Sequence, residues 1–219
     1  MFHNQGQYSE QRDRQPKEDE WVTWLVWSVA QVGWLGLMAG RVKLSAKWPE
    51  TGETWSAIGM VAVQLFLACV MGQALLKQWC DWVYASTVAV PMLALAMVQS
   101  GSTLSQSVPG MVNLMLWLGV LTWIGSIRSL AVHSLLKSIM LILTVGGPVF
   151  LYLVWEFGRR AIAGDGVIAY VSPTLGVVTV LHQGWEAVGM IGVPVGFLII
   201  VTGIHSLLCR RITHQKSIS

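Results

Sequence analysis

Apolar stretches alternate with short polar segments along most of this chain. Six of the stretches carry no Asp, Glu, Lys or Arg, and each is 17 to 22 residues long. A helix needs about 20 apolar residues to cross a bilayer core about 30 Å thick. The pattern therefore predicts six transmembrane helices, in chain order Trp21–Gly40, Trp55–Leu76, Trp82–Val98, Val108–Ile127, Ile139–Trp155 and Val188–Cys209.

A seventh apolar segment, Gly166–Leu181, is short for a span because it has only 16 residues. It is also interrupted by Ser172-Pro173. We expect an interfacial or re-entrant segment, whose irregular backbone is covered by protein; a seventh span is the alternative. The predicted organisation is a polar cytoplasmic tail over 1–20, a transmembrane helical domain over 21–209 that includes the short segment at 166–181, and a basic cytoplasmic tail over 210–219.

The composition agrees with an all-α, polytopic integral membrane helical bundle of six transmembrane helices, with seven as the alternative. Hydrophobic residues make up 54% of the chain and charged residues 11%, whereas an ordinary soluble domain has about 25% charged residues. A disordered chain is excluded because such chains are poor in apolar residues. The three cysteines have no CxxC spacing, so the sequence predicts neither a disulfide framework nor thiol redox chemistry.

The lysine and arginine residues predict the orientation. With six spans, nine of them fall on the side that holds both tails and five on the other side. Because basic residues are enriched in cytoplasmic segments, we expect both termini to be cytoplasmic, in a multi-pass protein of the cell inner (plasma) membrane. A seventh span would move the C-terminal tail across the membrane and reverse this preference.

The centres of the predicted spans contain no charged residue. Proton- or sodium-driven transporters depend on such residues, so this class is disfavoured. The chain has no nucleophile elbow, P-loop or HExxH motif, and we expect no enzymatic activity and no metal or other cofactor. It has no basic run typical of direct nucleic-acid binding. We assign Gln31, Gln64 and Gln73, three amides within the spans, to hydrogen bonds between helices.

Glycines form one face on each of two predicted spans. Their spacing of three, four and seven residues places them on one side of a helix, and small residues let helix backbones approach closely in a membrane. The sequence predicts helix packing at these faces, either within the chain or against another subunit. The positions are Gly33, Gly36 and Gly40 in the first span and Gly189, Gly192, Gly196 and Gly203 in the last.

Two histidines are the candidates for haem ligation. His133 follows the fourth predicted span, and His205 lies near the cytoplasmic end of the sixth. They are the only two at similar predicted depth, so at most one haem could be bound between them. We expect structural roles for both and assign them to cofactor binding only if a haem is present.

Residues 108–153 carry a resemblance to a known family. An apolar span ends in the polar corner Gly125-Ser-Ile-Arg128, a Ser/His/Lys linker follows, and the next span contains Thr144-Val-Gly-Gly147. This resembles the small polytopic inner-membrane subunits of Dot/Icm-like and IncI-like conjugative type IV secretion systems. The same region is similar to the second half of type-2 ABC export permeases, in which a Ser-Pro segment such as Ser172-Pro173 precedes the final helix.

These features together predict a non-enzymatic membrane subunit of a multi-protein secretion, conjugation or transport machine. Its expected partners are the lipid bilayer and other membrane subunits, in a hetero- or homo-oligomer. The alternatives are a permease subunit of a type-2 ABC exporter and a membrane anchor of a b-haem or quinone-linked oxidoreductase.

Overall fold

The structure, a computed structural model, describes residues 16–44, 52–76, 79–101, 104–127, 130–157, 170, 172–200 and 202–203. These residues form helices and contain no β-strand. The helices are α1 (Pro16–Leu44), α2 (Gly52–Leu75), α3 (Trp79–Gln99), α4 (Leu104–Gly125), α5 (Leu130–Phe157) and α6 (Pro173–Gln183), followed by a 3₁₀ helix (Gly184–Ile191) and by α7 over 192–200. The predicted all-α class is confirmed.

Four helices contain a stretch long and apolar enough to cross a membrane. These stretches are Trp21–Ala39, Cys80–Gln99, Ser107–Gly125 and Ala131–Val149, and they coincide with the first, third, fourth and fifth predicted spans. Shorter apolar stretches occupy Ser56–Gly72 and Gly184–Ile200. The protein is thus an α-helical chain with the lengths and composition of a membrane protein.

Two boundaries differ from the sequence prediction. Helix α1 begins at Pro16, within the predicted polar tail, because proline is favoured in the first helical turn. The apolar stretch of α5 begins at Ala131, eight residues before the predicted fifth span, and therefore includes Lys137.

Helix α4 lies at the centre of the bundle. It packs against α2, α3, α5, α6 and the 3₁₀ helix, and its side chains Leu114, Leu118 and Val120 are fully buried. Helices α1 and α5 lie at the periphery, with exposed apolar side chains such as Leu37 and Ile142. The bundle therefore encloses polar groups on its inner helices and presents apolar surfaces outward, as lipid requires.

Helix α6 is short and buried. Ser172 is its N-cap and Pro173 occupies its first turn, a favourable start for a helix. Its 11 residues extend about 16 Å, roughly half of a bilayer core. The helix begins beside Thr144, in the middle of α5, and its last turn reaches Gly110, near the start of α4. The rest of the predicted segment at 166–181, apart from Tyr170, lies outside the described residues.

Candidate functional site

Two glutamines join α1, α2 and α3 in the interior. Gln64 Nε2 donates to Gln31 Oε1 and to Ala89 O, both at 2.8 Å. Gln31 Nε2 donates to Trp27 O at 3.4 Å. Both glutamines are fully buried, so the contact is shielded from water and lipid. The hydrogen bonding between helices predicted for Gln31 and Gln64 is confirmed; the side chain of Gln73 lies outside the description.

Sequence reasoning missed a third buried amide, Asn113. It is fully buried in α4, and neither its Oδ1 nor its Nδ2 has a hydrogen-bond partner among the described residues. The same holds for Gln64 Oε1 and Ser86 Oγ. A buried polar group without a partner costs about 1–3 kcal/mol. Asn113 was visible in the sequence as the only amide in the fourth predicted span.

A second polar contact lies at a proline in α5. Pro148 has no N–H, so the carbonyl four residues earlier, Thr144 O, loses its usual helical donor. Thr174 Oγ1 of α6 donates to this oxygen at 2.9 Å, and Ser172 Oγ donates to the neighbouring Leu143 O at 2.8 Å. Two hydroxyls of α6 thus hydrogen-bond the backbone next to the proline, which is how prolines are tolerated in membrane helices.

Gly147 permits this docking. A Cβ atom at this position would collide with the side chain of Ser172, so a larger residue would push α6 away from α5. Cys69 Sγ of α2 lies 3.8 Å from Thr144 Oγ1. Thr144 therefore links α2, α5 and α6.

A cavity of about 10 Å³ lies between α2, α4 and α5. It is lined by Ala68, Cys69, Gly72, Leu121, Ile124, Gly125, His133 and Lys137. Its volume is about that of one water molecule, so the described residues do not form a haem pocket around His133. His133 is 5% exposed within α5, and His205 lies outside the described residues. No group of three or more His, Cys, Asp or Glu side chains that could hold a metal ion occurs in the described part of the chain.

Lys137 lies at the edge of this cavity. Its Nζ donates to Val70 O of α2 at 2.9 Å, close to the C-terminal end of that helix. A cation is stabilised there by the helix dipole and by the last carbonyl groups. This interaction explains how a lysine is accommodated inside an otherwise apolar stretch of α5.

The predicted glycine faces lie in open surroundings. A Cβ atom would meet nothing within 4 Å at Gly33, Gly36, Gly189, Gly192, Gly196 or Gly203. The surroundings of Gly40 lie outside the description. Packing of these six glycines against the described part of the chain is therefore not observed, and a contact with another subunit remains a prediction.

Other glycines make the close contacts within the chain. At Gly59 a Cβ atom would collide with Trp34, at Gly110 with Leu181, and at Gly125 with Leu76 O. Spacing along one helix did not reveal these positions, because each is defined by a neighbour that is distant in sequence.

Comparison with known proteins gave no match to a family model, to a curated protein or to a solved structure.

The buried polar groups of the described residues are amides, hydroxyls and His133. Amides and hydroxyls hold helices together through hydrogen bonds and can bind neutral polar molecules. These interior groups therefore have the chemistry of helix packing, and apolar side chains such as Leu37 and Ile142 are exposed on the outer helices.

Proposed function

We propose that this protein is an integral membrane subunit that acts without catalysis, through helix contacts with other membrane subunits. The observation that carries the proposal is the contrast between two sets of glycines. Gly59, Gly110 and Gly125 are in close contact with their own chain, whereas the faces of α1 and α7 have open space beside them. Open small-residue faces on exposed helices fit a neighbouring helix.

The exposure of the flanking side chains supports this assignment. Val29 and Val32 of α1 are 59% and 55% exposed, and Ile199 and Ile200 of α7 are 66% and 63% exposed. Each glycine face is thus part of a broader apolar surface. A partner helix would pack against the flanking side chains while its backbone approaches the glycines.

The path of the chain around α6 supports a six-span topology. Helices α4 and α5 are consecutive, so the end of α5 and the start of α4 lie at the same membrane face. Helix α6 begins at the level of Thr144, in the middle of α5, and its last turn lies beside Gly110 at that face. This placement of α6 fits the proposal that 166–181 is a re-entrant segment, that α7 begins the last span and that both termini are cytoplasmic.

The machine we propose is an inner-membrane secretion or conjugation complex. The support is the resemblance carried by Gly125-Ser-Ile-Arg128 and Thr144-Val-Gly-Gly147. In this structure Thr144 and Gly147 hold the contact between α5 and α6, so the quoted motif has a structural role in the bundle.

Substitution of the α7 glycines tests the proposal. In Gly192→Leu and Gly196→Leu the new side chain enters open space, so each isolated variant should fold as the wild type does. Neither variant should co-purify with its membrane partners from native membranes. Ser138→Leu adds a leucine to the exposed side of α5 and serves as the control that retains the complex.

Full recovery of the complex with both glycine variants would contradict the proposed interface. A partner set consisting of one ATPase would instead identify an ABC permease, and a set of several secretion subunits would support the machine proposed here.

A further inference from the structure

Four buried polar atoms without partners come from three helices that pack against one another. They are Gln64 Oε1 of α2, Ser86 Oγ of α3, and Oδ1 and Nδ2 of Asn113 of α4. Each of these helices contacts the other two. Gln64 and Asn113 are fully buried and Ser86 is 5% exposed, so protein rather than lipid surrounds them.

One hydrogen bond places Ser86 and Asn113 at similar depth. Trp82 Nε1 of α3 donates to Met115 O of α4 at 2.7 Å. Ser86 lies one turn after Trp82, and Asn113 lies two residues before Met115. Because consecutive helices joined by a short loop run antiparallel, both residues lie on the same side of this bond and within about one helical turn of each other.

A second hydrogen bond brings Gln64 to this level. Its Nε2 donates to Ala89 O at 2.8 Å, and Ala89 lies three residues after Ser86, or about 4.5 Å further along α3. The Nε2 group is engaged on both sides, by Ala89 O and Gln31 Oε1. Its Oε1 therefore remains available as an acceptor, within about one helical turn of the level of Ser86.

The unpartnered atoms form a complementary set. Gln64 Oε1 and Asn113 Oδ1 accept hydrogen bonds, Asn113 Nδ2 donates them, and Ser86 Oγ does both. A molecule that satisfies this set must donate and accept, and it needs no charge. Buried water in proteins makes about three such bonds to groups that lack other partners.

We propose that Gln64, Ser86 and Asn113 bind an internal water molecule between α2, α3 and α4. Asn113 is its principal ligand because both ends of the amide are unpartnered. The site is separate from the glycine faces, and it does not depend on the function proposed above.

Water-edited solid-state NMR of the full chain in bilayers tests the site. In the wild type, the Asn113 side-chain amide should receive magnetisation from water. Thr122 is the internal reference because it is 2% exposed and its Oγ1 donates to Leu118 O at 2.8 Å; its signals should stay dry. Ser86→Ala should reduce the transfer to Asn113, and Thr122→Val should leave it unchanged. If the Asn113 amide of the wild type receives no more magnetisation from water than Thr122 does, the proposal is overturned.

A double-mutant cycle provides a second measurement. If water bridges Ser86 and Asn113, the unfolding midpoints of Ser86→Ala, Asn113→Leu and the double variant should be non-additive. Additive shifts of the unfolding midpoint would show that no water bridges Ser86 and Asn113. Non-additive shifts together with a dry amide would reveal a direct bond between the two side chains and would also overturn the water site.

Discussion

Single glycines play two different roles in this protein. At Gly125 a Cβ atom would collide with the backbone oxygen of Leu76, which cannot rotate away as a side chain can. At Gly36 a Cβ atom would enter open space. The same substitution should therefore have opposite effects at the two positions.

We expect Gly125→Ala to lower the free energy of unfolding by about 1–3 kcal/mol, which is typical of overpacking. Gly36→Ala is the matched control, and it should be neutral or stabilising by up to about 1 kcal/mol because alanine favours the helix. Reversible SDS unfolding of the chain in detergent micelles measures both. Equal effects of the two variants would contradict the packing at Gly125.

The sequence could indicate that glycines matter here, but the glycines that its spacing singles out are not the ones in close contact within the described residues. Gly192-Val-Pro-Val-Gly196 is conspicuous because its spacing repeats along one helix. Gly59 and Gly110 have no such spacing, and their contacts with Trp34 and Leu181 arise only when distant helices meet. Asn113 was missed for a related reason, since its burial depends on the helices that pack around α4.

At the scale of helices, the contact between α5 and α6 depends on the missing donor at Pro148. Thr174 Oγ1 replaces that donor at Thr144 O, and Ser172 Oγ hydrogen-bonds Leu143 O. The sequence predicted a break at Ser172-Pro173 and a distinct segment there. It did not predict that the hydroxyls beside that break would contact the proline region of another helix.

Thr174→Val should destabilise the protein by about 0.6 kcal/mol, the average measured for hydrogen bonds between membrane helices, and by no more than the measured maximum of about 1.7 kcal/mol. In a Pro148→Ala background the residue at 148 regains its N–H, so the same substitution should cost less. SDS unfolding of the wild type, the two single variants and the double variant gives the coupling energy between positions 148 and 174.

Thr202→Val is the control for this cycle, because Thr202 Oγ1 donates to a carbonyl only four residues earlier in the chain, Leu198 O, at 2.6 Å. It should have little effect. An equal cost of Thr174→Val in both backgrounds would show that the threonine does not replace the missing donor.

At the scale of the whole molecule, charge and helix order are the basis of the proposed topology. Four helices have stretches long and apolar enough to span, and α6 is too short to do so. In the proposed six-span arrangement, we expect the side with more lysine and arginine to face the cytoplasm.

A reporter fused after Ser219 should therefore be active in the cytoplasm. A paired fusion in the uncharged loop after Gln99 should report the opposite side, which controls for expression. A periplasmic signal from the C-terminal fusion would mean that 166–181 crosses the membrane and that the chain has seven spans.

The sequence by itself determined the class of this protein and the approximate positions of its long helices, because apolar length and the absence of charge are local properties that a bilayer requires. The tertiary structure alone decided which groups meet inside the bundle. The bond between Gln31 and Gln64, the enclosure of Asn113 and the docking of Thr174 at Thr144 join helices that are distant in sequence. Such contacts depend on the relative heights and rotations of packed helices, and the apolar pattern of each single helix does not specify them.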